Sequence, residues 1–240
     1  MATNGPLTIG FMTPTTRTRP HFASFLRIVP ADVTIAFGEL GLVRRSLTDL
    51  KDRADAILAT TVAGVRDGRW DGVIVPGAPV ELQNPGLRER LADEVSVPFT
   101  TALGAAADAL RALGVRDVLV MTPFVASMNA LLTAHLSAAG FNAACAELGF
   151  GNENEALEIG PGAVFDMARG AVAAAGKVDA VYFQGAVLDP LPIIDDMERE
   201  LGVPVIASNP TMLWSILSKL GRSDRIEGCG RLLAEWPAAG

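Results

Sequence analysis

Short apolar runs alternate along this chain with longer stretches in which apolar residues return every three or four positions. The runs at 7–12, 33–37, 72–76, 118–121, 180–183 and 203–207 have the length and composition of strands, most of them buried on both faces. The stretches at 47–68, 86–95, 102–114, 125–140, 162–176, 193–202 and 211–221 predict helices. Gly114, Gly140, Gly176, Gly202 and Gly221 stand where a helix C-terminus favours a residue tolerant of positive φ. Alternating β and α elements predict an α/β fold, a mainly parallel sheet with helices on both sides. Ligands bind such sheets beyond the carboxyl ends of the strands. Those ends are residues 13–19, 38–42, 77–83, 122–127, 185–190 and 208–211.

The pattern occurs twice. Met12-Thr13-Pro14 returns as Met121-Thr122-Pro123, 109 positions on. The run from Asp71 through Val75 and Gly77 to Glu81 is echoed from Asp179 through Phe183 and Gly185 to Asp189. Val97-Pro98 is echoed by Val203-Pro204. Two half-length copies predict two similar lobes related by a pseudo-twofold axis, with an active site in the cleft between them. The repeat breaks near residue 115. That gives a first lobe at 1–115, a second at 116–225 and a C-terminal tail at 226–240, and the final helix can cross back to the first lobe.

Composition narrows the function. Of the 240 residues, 50% are hydrophobic and 20% charged, and the mean hydropathy is +0.32, which excludes a disordered chain. The net charge of -7, with no basic cluster beyond Arg17/Arg19 and Arg44/Arg45, argues against nucleic acid as a partner. No apolar run approaches the roughly 20 residues of a membrane span, and no signal peptide is evident. Cys145 and Cys229 make neither a disulfide framework nor a metal-binding pair. A cytoplasmic protein is expected, and a homo-oligomer is compatible with all of this. No Walker loop or GxGxxG is present, so no nucleotide is expected.

The duplicated halves, the strand-end loops at Gly77 and Gly185, the stretches Ala109–Arg116 and Met197–Val205, and Ser208-Asn209-Pro210 with Trp214 resemble the aspartate/glutamate racemase superfamily. Within it, the chain is most similar to the arylmalonate decarboxylase and maleate cis-trans isomerase branch. The resemblance implies a cofactor-independent lyase or isomerase acting on a small carboxylic or dicarboxylic acid. Racemases and maleate isomerases of this kind carry one cysteine on each lobe, at the loops that here hold Gly77 and Gly185, and the decarboxylases keep only the second. The decarboxylase pattern also has hydroxyl side chains where this chain has Ala78, Pro79 and Phe124. A thiol donates a proton or attacks because its pKa is near 8.5 and tunable; glycine does neither. A mechanism without cysteine is therefore expected.

Other residues offer replacements. Glu81 and Asp189 are equivalent by the repeat, four residues past each glycine, and paired carboxylates serve as acid and base or bind a metal. The alternative is that each caps the helix after its loop. His21 is a candidate acid or base near neutral pH, whereas His135 reads as packed or surface. Thr15, Thr16 and Arg17 stand where the resemblance places a carboxylate-binding loop, and arginine suits bidentate carboxylate binding; Arg17 and Arg19 can equally be solvated loop charges. Gln184 and Asn209 are polar residues at apolar strand ends, able to bond a carboxylate, although Asn209 also suits a turn before Pro210. Thr122 borders the loop before the second lobe's first helix, a natural place for an anion cradle. Backbone N–H groups near Ala78, Phe124 and Ala186 complete the expected carboxylate site. Two rival readings remain open. One is a metal-assisted lyase or hydrolase using His21, Glu39, Glu81 and Asp189, without a recognisable metal spacing. The other is a non-catalytic binder of small acids.

Overall fold

The structure, a computed structural model, describes residues 5–15, 21–43 and 46–239, with the main chain alone for His21. The chain divides into two units, Met1–Ala105 with Met212–Asp224, and Ala106–Thr211 with Arg225–Gly240. Each holds one four-stranded parallel sheet.

In the first unit, strands β1 (Leu7–Thr13), β2 (Val33–Glu39), β3 (Gly72–Val75) and β4 (Phe99–Thr101) lie in the order β2-β1-β3-β4. Helices α1 (His21–Arg27), α2 (Ala54–Gly68), α3 (Ala78–Leu82) and α4 (Leu87–Glu94) connect them. In the second unit, β5 (Asp117–Met121), β6 (Asn142–Cys145), β7 (Ala180–Phe183) and β8 (Val205–Ala207) repeat that order as β6-β5-β7-β8. Its helices are α6 (Ala126–Ala138), α7 (Pro161–Ala175), α8 (Ile194–Leu201) and α10 (Arg231–Glu235). Helices α5 (Ala102–Ala112) and α9 (Ser208–Lys219) each contribute residues to both units.

The repeat extends to single hydrogen bonds. Asp71 donates its N–H to Thr8 O and accepts from Thr8 N, both at 2.8 Å. Asp179 donates to Asp117 O at 2.7 Å and accepts from Asp117 N and Arg116 N at 2.9 and 3.0 Å. Val73 N donates to Pro98 O, and Val181 N to Pro204 O, each at 3.0 Å. The sequence echoes are thus the joints that fix the entry to β3 and β7.

Each face of the first sheet has its own core. Phe11 meets Phe22, Phe25 and Phe37 with ring centroids 5.4 to 5.6 Å apart. On the other face Trp70, itself 9% exposed, nests among glycines. A Cβ at Gly10 would lie 1.9 Å from its ring, and at Gly64 2.7 Å. The second half of α9 covers β3 and β4: Ile216 touches Gly72, and Ser215 Oγ shares a hydrogen bond with Thr100 Oγ1 at 2.9 Å. Past α9, Arg222 bridges Asp32 and Asp224. In the second unit, Glu198 on α8 accepts from Val205 N at 2.7 Å and Arg231 N at 2.8 Å, tying β8 and α10 to one carboxylate.

Several elements differ from the pattern reading. The stretch 47–68 is not one helix: a 3-10 turn at Leu47–Leu50 precedes α2, and the break passes through Asp52 at φ 55. Strands β4 and β6 are new. So is α3, which occupies a segment read as loop. All five helix-end glycines do take positive φ, from 68 to 97. Among the described residues no helix is long and apolar enough to cross a membrane.

Candidate functional site

In the first unit, β1 ends at Thr13, which is buried. Its hydroxyl accepts from Thr15 N at 3.2 Å and its carbonyl from Leu40 N at 3.0 Å. One residue thus sets the exits of β1 and β2. Thr15 is half-buried, and Glu39 at the end of β2 is exposed. Thr16, Arg17 and the His21 side chain lie outside the described residues. Strand β3 runs into Pro76 and then Gly77 at φ 91, where Val80 N closes a turn onto Gly77 O at 3.0 Å. That turn opens α3, with Ala78 fully buried and Glu81 only 9% exposed. Glu81 therefore sits inside the short helix.

Two residues missed by sequence reasoning hold α3. The Gln83 amide donates to Leu47 O at 2.8 Å and Pro79 O at 3.1 Å. The Asn84 amide donates to Leu50 O and Val80 O, and its Oδ1 accepts from Arg53 N at 2.7 Å. Their burial was the missing signal.

The second unit is built the same way. Thr122 is buried, and its hydroxyl accepts from Phe124 N at 3.2 Å, matching Thr13. The same hydroxyl donates to Asn129 Oδ1 at 2.5 Å, while Asn129 Nδ2 donates to Phe124 O at 3.2 Å. Asn129, on α6, thereby closes the 122–124 loop; nothing in its sequence setting marked it. Gly185 takes φ 99, and Leu188 N closes onto its carbonyl at 3.2 Å. Gln184 is 1% exposed; its N–H donates to Met121 O at 2.9 Å, and its Oε1 accepts from the Tyr182 hydroxyl. Asp189 Oδ1 accepts from Leu191 N at 3.0 Å, just ahead of a 3-10 turn at Leu191–Ile193 whose cap position is Pro190. Asn209 is the second residue of α9 and buried, so Pro210 falls in the helix's first turn and not in a separate turn.

Sheet register gathers the second unit's candidates. Met121 pairs with Phe183, and Phe183 with Ala207. The next residues, Thr122, Gln184 and Ser208, form a polar row along one sheet edge, flanked by Phe124, Gly185 and Asn209. Ala186 is half-buried beside Gly185. In the first unit Gly77, Ala78 and Glu81 lie together, and a Cβ at Gly77 would touch Pro14 Cγ at 3.4 Å, so the β1 and β3 exits adjoin.

The two glycines differ sterically. At Gly77 an added Cβ meets ordinary contacts of 3.4 and 3.6 Å. At Gly185 it would come to 2.7 Å from Pro123 Cδ and 3.0 Å from its Cγ. Neither cysteine lies at those two positions. Cys145 ends β6, and Cys229 precedes Gly230. Burial pushes both thiols up, against a weaker pull from Thr133 on Cys145 and with Asp195 adding to the rise at Cys229. Both are protonated at neutral pH. Among the described residues no group of three or more His, Cys, Asp or Glu is placed to hold a metal ion.

Residues 81–233 match the family model described as arylmalonate decarboxylase. An arylmalonate decarboxylase from Bordetella bronchiseptica is 30% identical over 221 residues, covering 87% of this chain and 92% of that protein. A maleate isomerase from Nocardia farcinica is 28% identical over 173 residues, covering 65% of this chain and 66% of that protein. A crystal structure of arylmalonate decarboxylase superposes with a TM-score of 0.78 at 25% identity, over 95% of this chain and 99% of the other. The Nocardia farcinica maleate cis-trans isomerase, solved with a covalently bound succinylcysteine intermediate, shares the fold with a TM-score of 0.74 at 22% identity, over 95% and 98% of the two chains.

Proposed function

The chain belongs to the arylmalonate decarboxylase family, and on that basis we propose that it is a cofactor-independent lyase or isomerase that acts on a small carboxylic or dicarboxylic acid without a cysteine. The observation that carries the reading is glycine at both strand-end loop positions, 77 and 185, each at positive φ. No thiol stands at either position, so the proton that a decarboxylase returns to its substrate comes from another group.

Glu81 is the first candidate for that group. It is buried one turn beyond Gly77, and a carboxyl can serve as a general acid. Asp189, its counterpart in the repeat, already accepts the Leu191 N–H and stands second. Thr15, Thr16 and Arg17 are assigned to the substrate carboxylate that remains, with N–H groups near Ala78, Phe124 and Ala186 and the side chains of Thr122, Gln184 and Asn209. His21 is kept as an alternative proton carrier. In the decarboxylation, the bond from the α-carbon to the departing carboxylate breaks and carbon dioxide leaves. The electron pair stays on the α-carbon, conjugated with the retained carboxylate. The acid then delivers its proton to that carbon and is reprotonated from water. A cytoplasmic setting suits the two free cysteines.

The test offers the purified protein phenylmalonate, maleate and small hydroxy acids. Carbon dioxide release and uptake of solvent deuterium are measured. Turnover that falls at least tenfold in Glu81→Gln, and survives in Cys145→Ala/Cys229→Ala, supports the reading. Arg17→Lys is expected to weaken substrate binding by about 1–3 kcal/mol, because an ammonium does not reproduce the guanidinium fork. Binding without turnover on the whole panel would make the protein a binder of small acids. Turnover abolished by the double cysteine substitution would overturn the cysteine-free mechanism.

A further inference from the structure

The seat of Trp70 in the first unit has an open counterpart in the second. The Trp70 ring lies against Gly10 on β1, Gly38 beside it on β2, and Gly64 and Gly68 on α2. The repeat locates each of these in the second copy. Asp179 makes the strand-entry bonds of Asp71, so Val178, one residue before it, stands for Trp70. The Met12/Met121 echo puts Leu119 at the place of Gly10. Phe11 pairs with Phe37 and Val120 with Cys145, so the residues that follow, Gly38 and Ala146, correspond. The closing N–H groups of α2 and α7 bond Val65 O and Val172 O, which matches Gly64 with Ala171 and Gly68 with Ala175.

Leu119, Ala146, Ala171 and Ala175 are all walls of one cavity of about 660 Å³, bounded by β5, β6 and α7. That is the size of a small-molecule site. Val178 is not among its walls, and a Cβ at Gly170, which is, would meet nothing within 4 Å. At Gly64 the same added carbon would lie 2.7 Å from the indole. A frame that holds a ring in one copy is left open in the other.

We propose that this cavity binds a planar bicyclic aromatic molecule of indole size, neutral or cationic, lying where the first copy carries Trp70. Its apolar walls gain from covering the ring as a core gains from an aromatic side chain. The charged residues among the walls, Glu147 and Asp166, are both acidic, and Asp166 is already paired with Arg169 at 2.7 Å. An aromatic amine is therefore favoured and an aromatic acid disfavoured. The cavity lies within the second unit and does not include the Gly185 loop, so the proposal is independent of the carboxylic acid reading.

The test is calorimetric titration of the full chain with indole and with tryptamine. One bound molecule per chain is expected. Indole-3-acetate is expected to displace indole about tenfold less well than tryptamine does. Val178→Trp returns the first copy's own ring to the seat, and Ala171→Leu fills it from α7; each is expected to cut indole affinity about tenfold or more. Maleate, an acid of the kind proposed for the strand-end loops, is expected not to displace indole. Ala171→Leu, at a half-buried helix position, decides the question if Val178→Trp fails to fold. Four results overturn the proposal: no binding of indole or tryptamine, affinity undiminished in a folded form of either variant, displacement by maleate, or self-association of the chain that Ala171→Leu abolishes. The last would make the cavity an interface between copies. Equal displacement by indole-3-acetate and tryptamine overturns the charge preference.

Discussion

Pro123 closes the space beside Gly185: an added Cβ on the glycine would sit 2.7 Å from the proline's Cδ. The repeat-equivalent pair, Pro14 and Gly77, leaves 3.4 Å. The two loops that look interchangeable in sequence therefore tolerate a side chain differently. Both substitutions to cysteine place a Cβ at positive φ, which costs about 1–2 kcal/mol. Gly185→Cys adds an overpacking cost of about 1–3 kcal/mol. Urea midpoints are expected to fall in the order unaltered, Gly77→Cys, Gly185→Cys. Replacing Pro123 by Ala should recover part of the Gly185→Cys loss; equal losses at the two glycines would contradict the steric account.

The thiols offer a second check. Cys145 and Cys229 are held protonated by burial. Iodoacetamide labelling at neutral pH is expected to be slower than for a free cysteine and to rise steeply only above the ordinary thiol range. Rapid labelling at pH 7 would show a thiolate where none is expected.

Two carboxylates should move stability in opposite directions with pH. Burial raises Glu198 above the usual glutamate range, although the N–H groups of Val205 and Arg231 pull it down. The folded protein holds that proton more tightly than the unfolded chain. Its contribution is therefore present in acid and is lost as pH rises through the raised pKa. Asp179 is lowered by the N–H groups of Asp117 and Arg116. Its contribution is present above the ordinary aspartate value and is lost as pH falls through the lowered pKa. The stability deficit of Glu198→Gln should shrink on going from acid to neutral pH, and that of Asp179→Asn should grow. Denaturant titrations across pH 3 to 7 would expose parallel trends, which this assignment forbids.

Trp70 provides the packing test. Gly10→Ala drives a methyl into its ring, with a clash far tighter than side-chain motion relieves. A loss of about 1–3 kcal/mol or more is expected, partly reversed by Trp70→Phe. A neutral Gly10→Ala would mean the tryptophan is not seated among the glycines.

The fold was legible because its signals are local. Apolar runs marked β1, β2, β3, β5, β7 and β8, and the Asp71/Asp179 and Pro98/Pro204 echoes marked the joints of a duplicated sheet. Strands β4 and β6 escaped because Phe-Thr-Thr and Asn-Ala-Ala-Cys carry no run of their own; they are strands only because a neighbour pairs with them. Helix α2 was drawn too long because the chain turns at Asp52 through a left-handed residue that is not glycine. The glycine loops could be located from the repeat. The residues that hold the site could not. Asn84 and Asn129 act through partners 5 to 34 residues away, which periodicity does not record.

Helix α9 has a consequence for how the chain is made. The first sheet is covered on β3 and β4 by Ile216 and Ser215, and its β2 edge is clamped by Arg222, yet these residues follow Ala105 by more than a hundred positions. A ribosome adding roughly 5–20 residues per second emits them on the order of ten seconds after the strands they protect. The half whose synthesis begins first is thus completed only after most of the second unit has been made. During that interval the apolar surface around Gly72 and Thr100 stands uncovered. Nascent chains halted before Asp224 should therefore be the species that chaperones hold and proteases cut.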